Sequence, residues 1–423
     1  MNLLVKIAYR NIWRNKRRTA FCFTAVGIAV FFIVVYSSMI NGMTKSINDL
    51  VQVFDLGHVR VVSQTYEEEK EFLPVQYPVS NGQNWRETAK IIEEMPEVRA
   101  VFPRIATVAT LRESTKKHAI LWGLNIKEET EANVFNFTNK NNGLIEGRYP
   151  ASSADGGHGA VLNECAIGHV FAEKSGLKIG DRIPLKTVSA QFSDKIWSPV
   201  IVGIFNYDYI KFDENYILVD FERLQNLLVL DGGTQQLIVF AQDESKSGAV
   251  AAKLQELFAD TDDLVTEWTE DYWVAVMKSV MPLYTIIFMI FLIVASFLII
   301  NTVIMIIHER IKEIGMMGCL GMTRKEIVTV FFFESLFLAA FGAFAGVIVG
   351  GITATIFAHY PIRLGDLYGN TFSEMPLSNA IFFQFSFFTL FQAWLMGVVI
   401  ASVFTLLPSL KSAFVEPVEA LRR

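Results

Sequence analysis

Charged residues vanish from four long stretches of this chain: residues 19–44, 279–308, 335–362 and 375–410 contain no Asp, Glu, Lys or Arg. Each is longer than the ~20 residues that carry a helix across a hydrocarbon core of about 30 Å. The pattern predicts four membrane-spanning helices, at 19–44, 279–307, 327–358 and 379–407. Between the first two, residues 45–278 are patterned like a water-soluble domain. Val51–Ser63 alternates loosely as a strand, Trp85, Ala89, Ile92 and Met95 recur at helical spacing, and Val98–Phe102 reads as a strand. The strand-then-helix unit returns at Leu237–Ala241 and Ser247–Phe258. A strand-rich middle punctuated by Gly143, Gly147, Gly156, Gly157, Gly176 and Gly180-Asp181 separates the two units.

The fold class expected is therefore an integral membrane α-helical protein with four transmembrane helices. A large mixed α/β extracytoplasmic domain is inserted between helices 1 and 2. Within that domain, an outer part (about 45–105 plus 225–278) carries an inserted part (about 105–225). The remaining segments are a basic N-terminal stretch (1–18), a loop at 308–326, a short extracytoplasmic loop at 359–378 and a tail at 408–423.

Composition sharpens this picture. Of 423 residues, 52% are hydrophobic and only 19% charged, against about 25% charged in an ordinary soluble domain. A net charge of −6 offers no global basic field for nucleic acid. Residues 45–278 hold 23 Lys and Arg against 35 Asp and Glu, whereas the rest holds 14 against 8. Short flanks set orientation through Lys and Arg. Residues 1–18 carry Lys6, Arg10, Arg14, Lys16, Arg17 and Arg18 without an acid, and the 308–326 loop carries Arg310, Lys312, Arg324 and Lys325. The tail carries Lys411, Arg422 and Arg423, while the 359–378 loop has only Arg363. Both termini and the 308–326 loop are thus expected in the cytoplasm, with the large domain outside.

The first apolar run is too long for a signal peptide, whose apolar region spans about 7–15 residues, and no A-x-A site follows it. Leu3, Leu4, Ile7, Ile12 and Trp13 among basic residues suit an amphipathic helix on the inner leaflet, the alternative being a plain topogenic flank. Cys22, Cys165 and Cys319 fall in three separate compartments on this topology, so no internal disulfide is expected. In the third span Gly342, Gly346 and Gly350 recur every four residues, a helix-packing face that lets two membrane helices approach closely.

Catalytic signatures are missing. The chain contains no Gly-Lys dipeptide, which excludes a phosphate loop of the G-x-x-x-x-G-K-[ST] type, and no H-E-x-x-H. His158, Glu164, Cys165 and His169 cluster loosely at a spacing that fits no standard metal pattern. Glu67–Glu69 lack the alternation of a calcium loop. The spans hold no deep ionisable residue, since Glu334 and His359 sit near their ends, which disfavours an ion-coupled transporter. No catalytic residue and no metal site are assigned.

The most informative stretch is His308–Ser335. Glu309, Arg310, Lys312 and Glu313 form a charged turn, followed by a short apolar surface with Gly315, Met316, Met317, Gly318, Leu320 and Gly321. Met322 and Arg324 then lead into the third span. A short amphipathic segment of small and soft residues is suited to a partner's groove, because methionine adapts its shape and glycine permits close approach.

The pattern E-R-x-K-E-I-G-x-x-x-x-x-G-x-x-R-x-x-I, as it stands at 309–327, resembles the FtsX-like permeases of ABC transporters, a superfamily that includes MacB and the lipoprotein-releasing LolC/LolE permeases. Supporting matches are Ala8–Thr19 at the entry to the first span, Gly143–Arg148, Ala160–Leu162 and Leu177–Asp181 in the outer domain, and Pro408 with Glu416–Arg422 at the end. The resemblance spans the whole chain. Lack of a fused ATP-binding domain departs from MacB, and the large outer domain departs from FtsX. Both features, with Gly57–Val61, look closer to the LolC/LolE branch.

That resemblance implies a non-catalytic permease subunit. Its 308–326 loop would be the coupling helix, with Glu309, Arg310, Lys312, Glu313, Gly315, Gly318, Leu320, Gly321, Met322 and Arg324 facing a separate ABC ATPase present in two copies. The chain itself would bind no cofactor; ATP and Mg would enter through the ATPase. A second permease, identical or related, would complete the complex, and a lipoprotein or amphiphilic substrate, membrane lipids and a periplasmic acceptor are the other implied partners. Depth alone nominates Phe31, Phe32, Met39, Met43 and Met281 for a substrate path between helices 1 and 2. The alternatives are a MacB-like exporter of peptides or small molecules and an FtsX-like scaffold that regulates an extracytoplasmic partner.

Overall fold

A computed structural model describes residues 3–14, 16–111, 118–132, 134, 143–152, 163–309, 316–317, 321–363 and 380–413. The chain divides into two compact units. One comprises Met1–Lys45, Lys278–Ile362 and Ile381–Arg423; the other comprises Ser46–Met277 with Arg363–Ala380.

The first unit is helical. Among the described residues three helices are long and apolar enough to cross a membrane, namely Thr19–Leu56, Arg324–His359 and Phe387–Phe404. Over the expected second span runs a helix from Tyr272 to Glu309, 38 residues long. Of it, Tyr272–Ile287 is a shorter apolar helix. Among the described residues the spans established by length and composition are therefore three, and the Tyr272–Glu309 helix as a fourth belongs to the functional reading below.

The basic N-terminal stretch forms a helix, Leu3–Arg14, and the first long helix begins at Lys16. Thr19 Oγ1 donates to the Ile12 carbonyl at 2.7 Å, tying the start of the long helix to the N-terminal one. The face that buries Ala8 and Ile12 packs on the third long helix, with Tyr9 edge-on to Phe337 at 6.0 Å, while Trp13 points outward at 66% exposure. Its apolar residues thus divide between a protein contact and the open side, a combination that helical spacing alone does not reveal.

The second unit is built on a mixed sheet of eleven strands: β1 (Val59–Ser63), β2 (Val98–Leu111), β3 (His118–Leu124), β4 (Leu144–Gly147), β5 (Glu164–Gly168), β6 (Leu185–Val188), β7 (Asp194–Trp197), β8 (Val200–Phe205), β9 (Tyr216–Asp220), β10 (Gln236–Ala241) and β11 (Asp263–Glu267). Their order is β11-β1-β10-β2-β3-β9-β5-β8-β4, with the β6–β7 hairpin attached to β2. β2 is shared: Val98–Arg104 pair with β10, and Ile105–Thr110 pair with β3. One hydrophobic core gathers Val59, Val61, Ile92, Ile105, Leu121, Phe171 and Leu237, and another gathers Phe102, Trp122, Phe205, Phe212, Leu218 and Phe240. Residues alternate between them along the strands, as a sheet with two covered faces requires.

The loose alternation over Val51–Ser63 conceals two different elements. Helix continues through Val51, a π-helical turn occupies Gln52–Leu56, and only Val59–Ser63 is strand. β1 lies between β10 and β11 and is covered on both faces, so Val59, Arg60, Val61 and Val62 are all buried. Without a solvent face there is no period of two to read. Gly57, at φ +61°, makes the reversal between turn and strand that a side chain would resist.

Candidate functional site

The expected coupling segment begins where the second long helix ends, at Glu309. Arg310, Lys312, Glu313, Gly315, Gly318 and Leu320 lie outside the described residues. Met316 and Met317 are helical, and Met322 N donates to the Met317 carbonyl at 3.1 Å. Gly321 takes φ +91° with open space around its α-carbon, so its role is conformational. Met317 and Met322 pack against Ile327 and Phe331 on the first turns of the third long helix.

That helix starts on a capping box. Glu326 N donates to Thr323 Oγ1 at 3.4 Å, and the Glu326 carboxylate accepts from the Thr323 backbone N–H and hydroxyl, both at 2.8 Å. Two amides that a helix start would leave unpaired are satisfied within one turn. Arg324 and Lys325 are left exposed on the same turn. The described part of the loop is thus a firm pedestal carrying two methionines and exposed basic side chains.

Behind it the glycines of the third helix meet the first. A methyl on Gly342 would sit 2.9 Å from the Phe23 carbonyl oxygen, and one on Gly350 would sit 2.8 Å from Val34 Cβ. One on Gly346 would fall on the Gly27 carbonyl. Val26, Val30, Ile33 and Val34 fill the seam together with Ala339 and Ala343, and Ala393, Val398 and Ala401 of the fourth helix close it. Trp394 Nε1 donates to the Ala340 carbonyl at 3.2 Å, tying the fourth helix to the third. Gly27 and Gly397 belong to this seam as well: a methyl on Gly27 would lie 3.3 Å from the Gly342 carbonyl, and one on Gly397 would strike the Val30 side chain. Gly27 stands in no four-residue repeat, so the sequence could have offered it only through helical phase, whereas Gly397 lies in the small-residue repeat Ala393, Gly397 and Ala401, a signal that a search for glycines alone passes over.

The nominated path residues divide by helical phase. Phe32, Met39 and Met43 share the face of Tyr36, whose hydroxyl donates to the Tyr284 carbonyl at 3.1 Å. Phe32 is 57% exposed, while Phe31, Met39, Met43 and Met281 are half-buried. Phe31 stacks edge-on to Phe32 at 5.3 Å, one step around the helix. Tyr36 is the polar residue on this face that depth alone overlooked.

In the sheet unit, the loose acid–thiol–imidazole cluster resolves into separate roles. Arg148 holds the Glu164 carboxylate from two nitrogens, and Cys165 is fully buried, with burial pushing its thiol up. His158 lies outside the described residues. No group of three or more His, Cys, Asp or Glu among the described residues could hold a metal. His169 faces Asp213 instead, with Nδ1 3.9 Å from Oδ2. Asp213 Oδ1 accepts from the Tyr207 amide at 2.9 Å, whereas Oδ2 and His169 Nδ1 make no hydrogen bond. Burial pushes the Asp213 carboxyl well above its usual range and holds the His169 imidazole below its own.

Family models place this architecture. Residues 19–257 match the MacB-like periplasmic core domain and residues 285–417 match the FtsX-like permease C-terminal domain. The chain belongs to the FtsX/MacB family of ABC transporter permeases. Among its curated relatives is the lipoprotein-releasing system transmembrane protein LolC of Xylella fastidiosa, 22% identical over 441 residues, covering 99% of this chain and 98% of the relative. An uncharacterised ABC transporter permease of Methanocaldococcus jannaschii is 28% identical over 269 residues, covering 61% of this chain and 62% of the relative. The periplasmic region of MacB from Actinobacillus actinomycetemcomitans aligns at a TM-score of 0.32 and 8% identity, covering 50% of this chain and 88% of that structure. At that score the likeness adds nothing to the family models.

Membership of this permease family implies an ATPase partner and a second permease in a transporter complex. It makes the chain a membrane permease with a MacB-like periplasmic domain. The capped pedestal at Met317–Phe331 and the glycine seam at 342–350 both fall inside the FtsX-like match.

Proposed function

We propose that this permease extracts acylated lipoproteins from the outer leaflet of the inner membrane, using ATP hydrolysed by a separate ATPase. The observation that carries this reading is the match along 99% of the chain to a relative named for lipoprotein release. Physical chemistry supports the need for external work. An acyl chain is held in lipid by about 0.8 kcal/mol per buried CH₂, so a multiply acylated anchor does not leave unaided. In this reading the Tyr272–Glu309 helix is a fourth span, the termini and the 308–326 loop are cytoplasmic, and the sheet unit is periplasmic. Basic flanks at 1–18 and 308–326 support that orientation.

Coupling runs through Glu309, Arg310, Lys312 and Glu313 as polar contacts to the ATPase, with Leu320 and Met322 as apolar ones. Gly315 and Gly318 allow the close approach, Gly321 supplies the turn, and Arg324 sits at the rim. ATP and Mg stay in the partner. Acyl chains rest on the face of the first helix that bears Phe32, Met39 and Met43, with Phe31 and Met281 beside it. The first and second long helices are the covalent connections into the sheet unit, so their displacement is a direct route for work. A periplasmic acceptor then takes the released lipoprotein.

Affinity purification of the tagged permease in mild detergent, followed by mass spectrometry, tests the reading. A small ATPase recovered with acylated lipoproteins is the expected result. An ATPase recovered with an outer-membrane channel or adaptor would instead indicate an exporter of peptides or small molecules, a reading supported by the MacB-like core domain. Recovery without any ATPase would overturn ATP coupling. In the reconstituted complex, Glu309→Lys with Glu313→Lys should leave ATP hydrolysis running while release falls to background, and intact release would refute the coupling assignment.

A further inference from the structure

The domain-side end of the first long helix is held by a buried clamp. Helix Lys16–Val51 passes without a break into the π-helical turn Gln52–Leu56, an uncommon geometry that widens the helix and frees carbonyls from the regular ladder. Gly57 N closes the turn on the Gln52 carbonyl at 2.9 Å. Inside it, the Val53 carbonyl accepts from Arg104 Nη1 at 2.6 Å. The same guanidinium holds Glu129, with Nη2 2.6 Å from Oε2 and Nε 3.4 Å from Oε1. Arg104 is 1% exposed and Glu129 0%. The guanidinium carbon lies 5.0 Å from the Trp122 ring centre.

Phe54 makes a second grip. Its ring stands 4.3 Å from Phe212, 5.4 Å from Tyr207, 5.7 Å from Tyr209 and 5.9 Å from Trp122. Leu56 makes a third, packing with Ile47, Val51, Trp268 and Val274. One turn of backbone is therefore fixed by a charged fork from β2, by an aromatic socket and by an apolar cluster that includes Val274 at the start of the second long helix. A chain joint intended to swing would carry the opposite features, exposed backbone and few buried contacts.

The ion pair is informative because it is expensive. Apolar residues of similar volume often stabilise a core as well as or better than a buried pair does, so a fully buried pair is best explained by the geometry it fixes. Here that geometry is the position of a backbone carbonyl at a helix end. We propose that Arg104, Glu129 and Phe54 are positioning residues that make the end of the first long helix and the sheet move as one body, so that displacement of the helix is delivered to the periplasmic domain instead of being lost in a hinge. The proposal rests on the ATP-coupled permease reading above.

The test uses the full permease co-purified with its ATPase in lipid vesicles and compares wild type with Phe54→Leu, which takes the ring out of the aromatic socket, and Glu129→Gln, which keeps volume and removes the charge. Two readouts are taken: ATP hydrolysis, and the change in backbone hydrogen exchange across β2, β3 and β9 on trapping the complex with ATP and vanadate. Without nucleotide, exchange in β1 and β10 should equal wild type, which certifies the fold. The expected result is hydrolysis within about twofold of wild type and a nucleotide-dependent exchange change reduced by at least about fivefold. Faster exchange at residues 52–57 should accompany it. A nucleotide-dependent change of wild-type size in both folded variants overturns the clamp while leaving the permease reading intact. A wild-type complex that hydrolyses no ATP overturns both. Should Glu129→Gln fail to fold, Phe54→Leu carries the same comparison, because it leaves the ion pair in place.

Discussion

Two adjacent glycines of the third long helix should respond oppositely to the same substitution. Gly350 faces the first helix, and a methyl added there would lie 2.8 Å from Val34 Cβ and 2.9 Å from its Cγ1. Carbon atoms pack best at about 3.5–4.0 Å, so the two helices must separate by roughly 0.7–1.2 Å to accept it. Val34 cannot turn away, since its β-carbon is fixed to the backbone and its rotamer is restricted in a helix. Separation on that scale forfeits about a quarter to a half of each opposed contact, and the seam holds Val26, Val30, Ala339 and Ala343 as well. Overpacking of this kind costs about 1–3 kcal/mol. Gly351, one residue on, faces the fourth helix, where a methyl would lie 3.4 Å from Leu390 Cδ1 at the end of a flexible side chain. Both substitutions gain the same helix propensity, about 1 kcal/mol for Ala over Gly, so comparing them cancels that gain. Gly350→Ala should therefore be less stable than Gly351→Ala by about 1–3 kcal/mol. Reversible unfolding in mixed micelles, monitored by circular dichroism, measures the difference. Equal stabilities within about 0.5 kcal/mol would show that the glycine seam does not set the spacing of these helices.

Two further outcomes concern the ends of the site. Removing the cap with Thr323→Ala should cost about 1 kcal/mol locally, read as roughly fivefold faster hydrogen exchange at the Glu326 amide; unchanged exchange would mean the cap is redundant. Asp213 has a folded-state pKa raised above its ordinary 3.8 by burial, so its contribution to stability is fully present below that value and is lost as pH rises through the raised one. His169, lowered from 6.5, acts in the opposite direction and loses stability as pH falls below that value, so the experiment belongs above pH 7, where it is already neutral. There Asp213→Asn should raise the melting temperature of the protein, because the amide keeps the acceptor for the Tyr207 N–H and removes a carboxyl whose ionisation burial opposes; a lower melting temperature in the variant would refute the burial argument.

What the sequence determined by itself was the division of labour along the chain. Exclusion of charge over 19–44, 335–362 and 375–410 follows from the cost of ions in hydrocarbon, and that cost acts on each helix separately, so it is written locally. The strand and helix at Leu237–Ala241 and Ser247–Phe258 were legible for a similar reason, since each is a short run with a local period. The family pattern at 309–327 was legible as well, being contiguous. Tertiary structure decided the rest. Val51–Ser63 reads as one alternating segment until β10 and β11 cover β1 on both edges and helix persists to Val51. Gly27 and Gly397 join the glycine seam only because Gly342 and Val30 stand opposite them. Nothing near Arg104 in the sequence announces Glu129 as its partner or the Val53 carbonyl as its second acceptor. A buried charge finds its partners across the fold, where sequence distance carries no information about them, and for that reason the clamp at the end of the first long helix belongs to the structure alone.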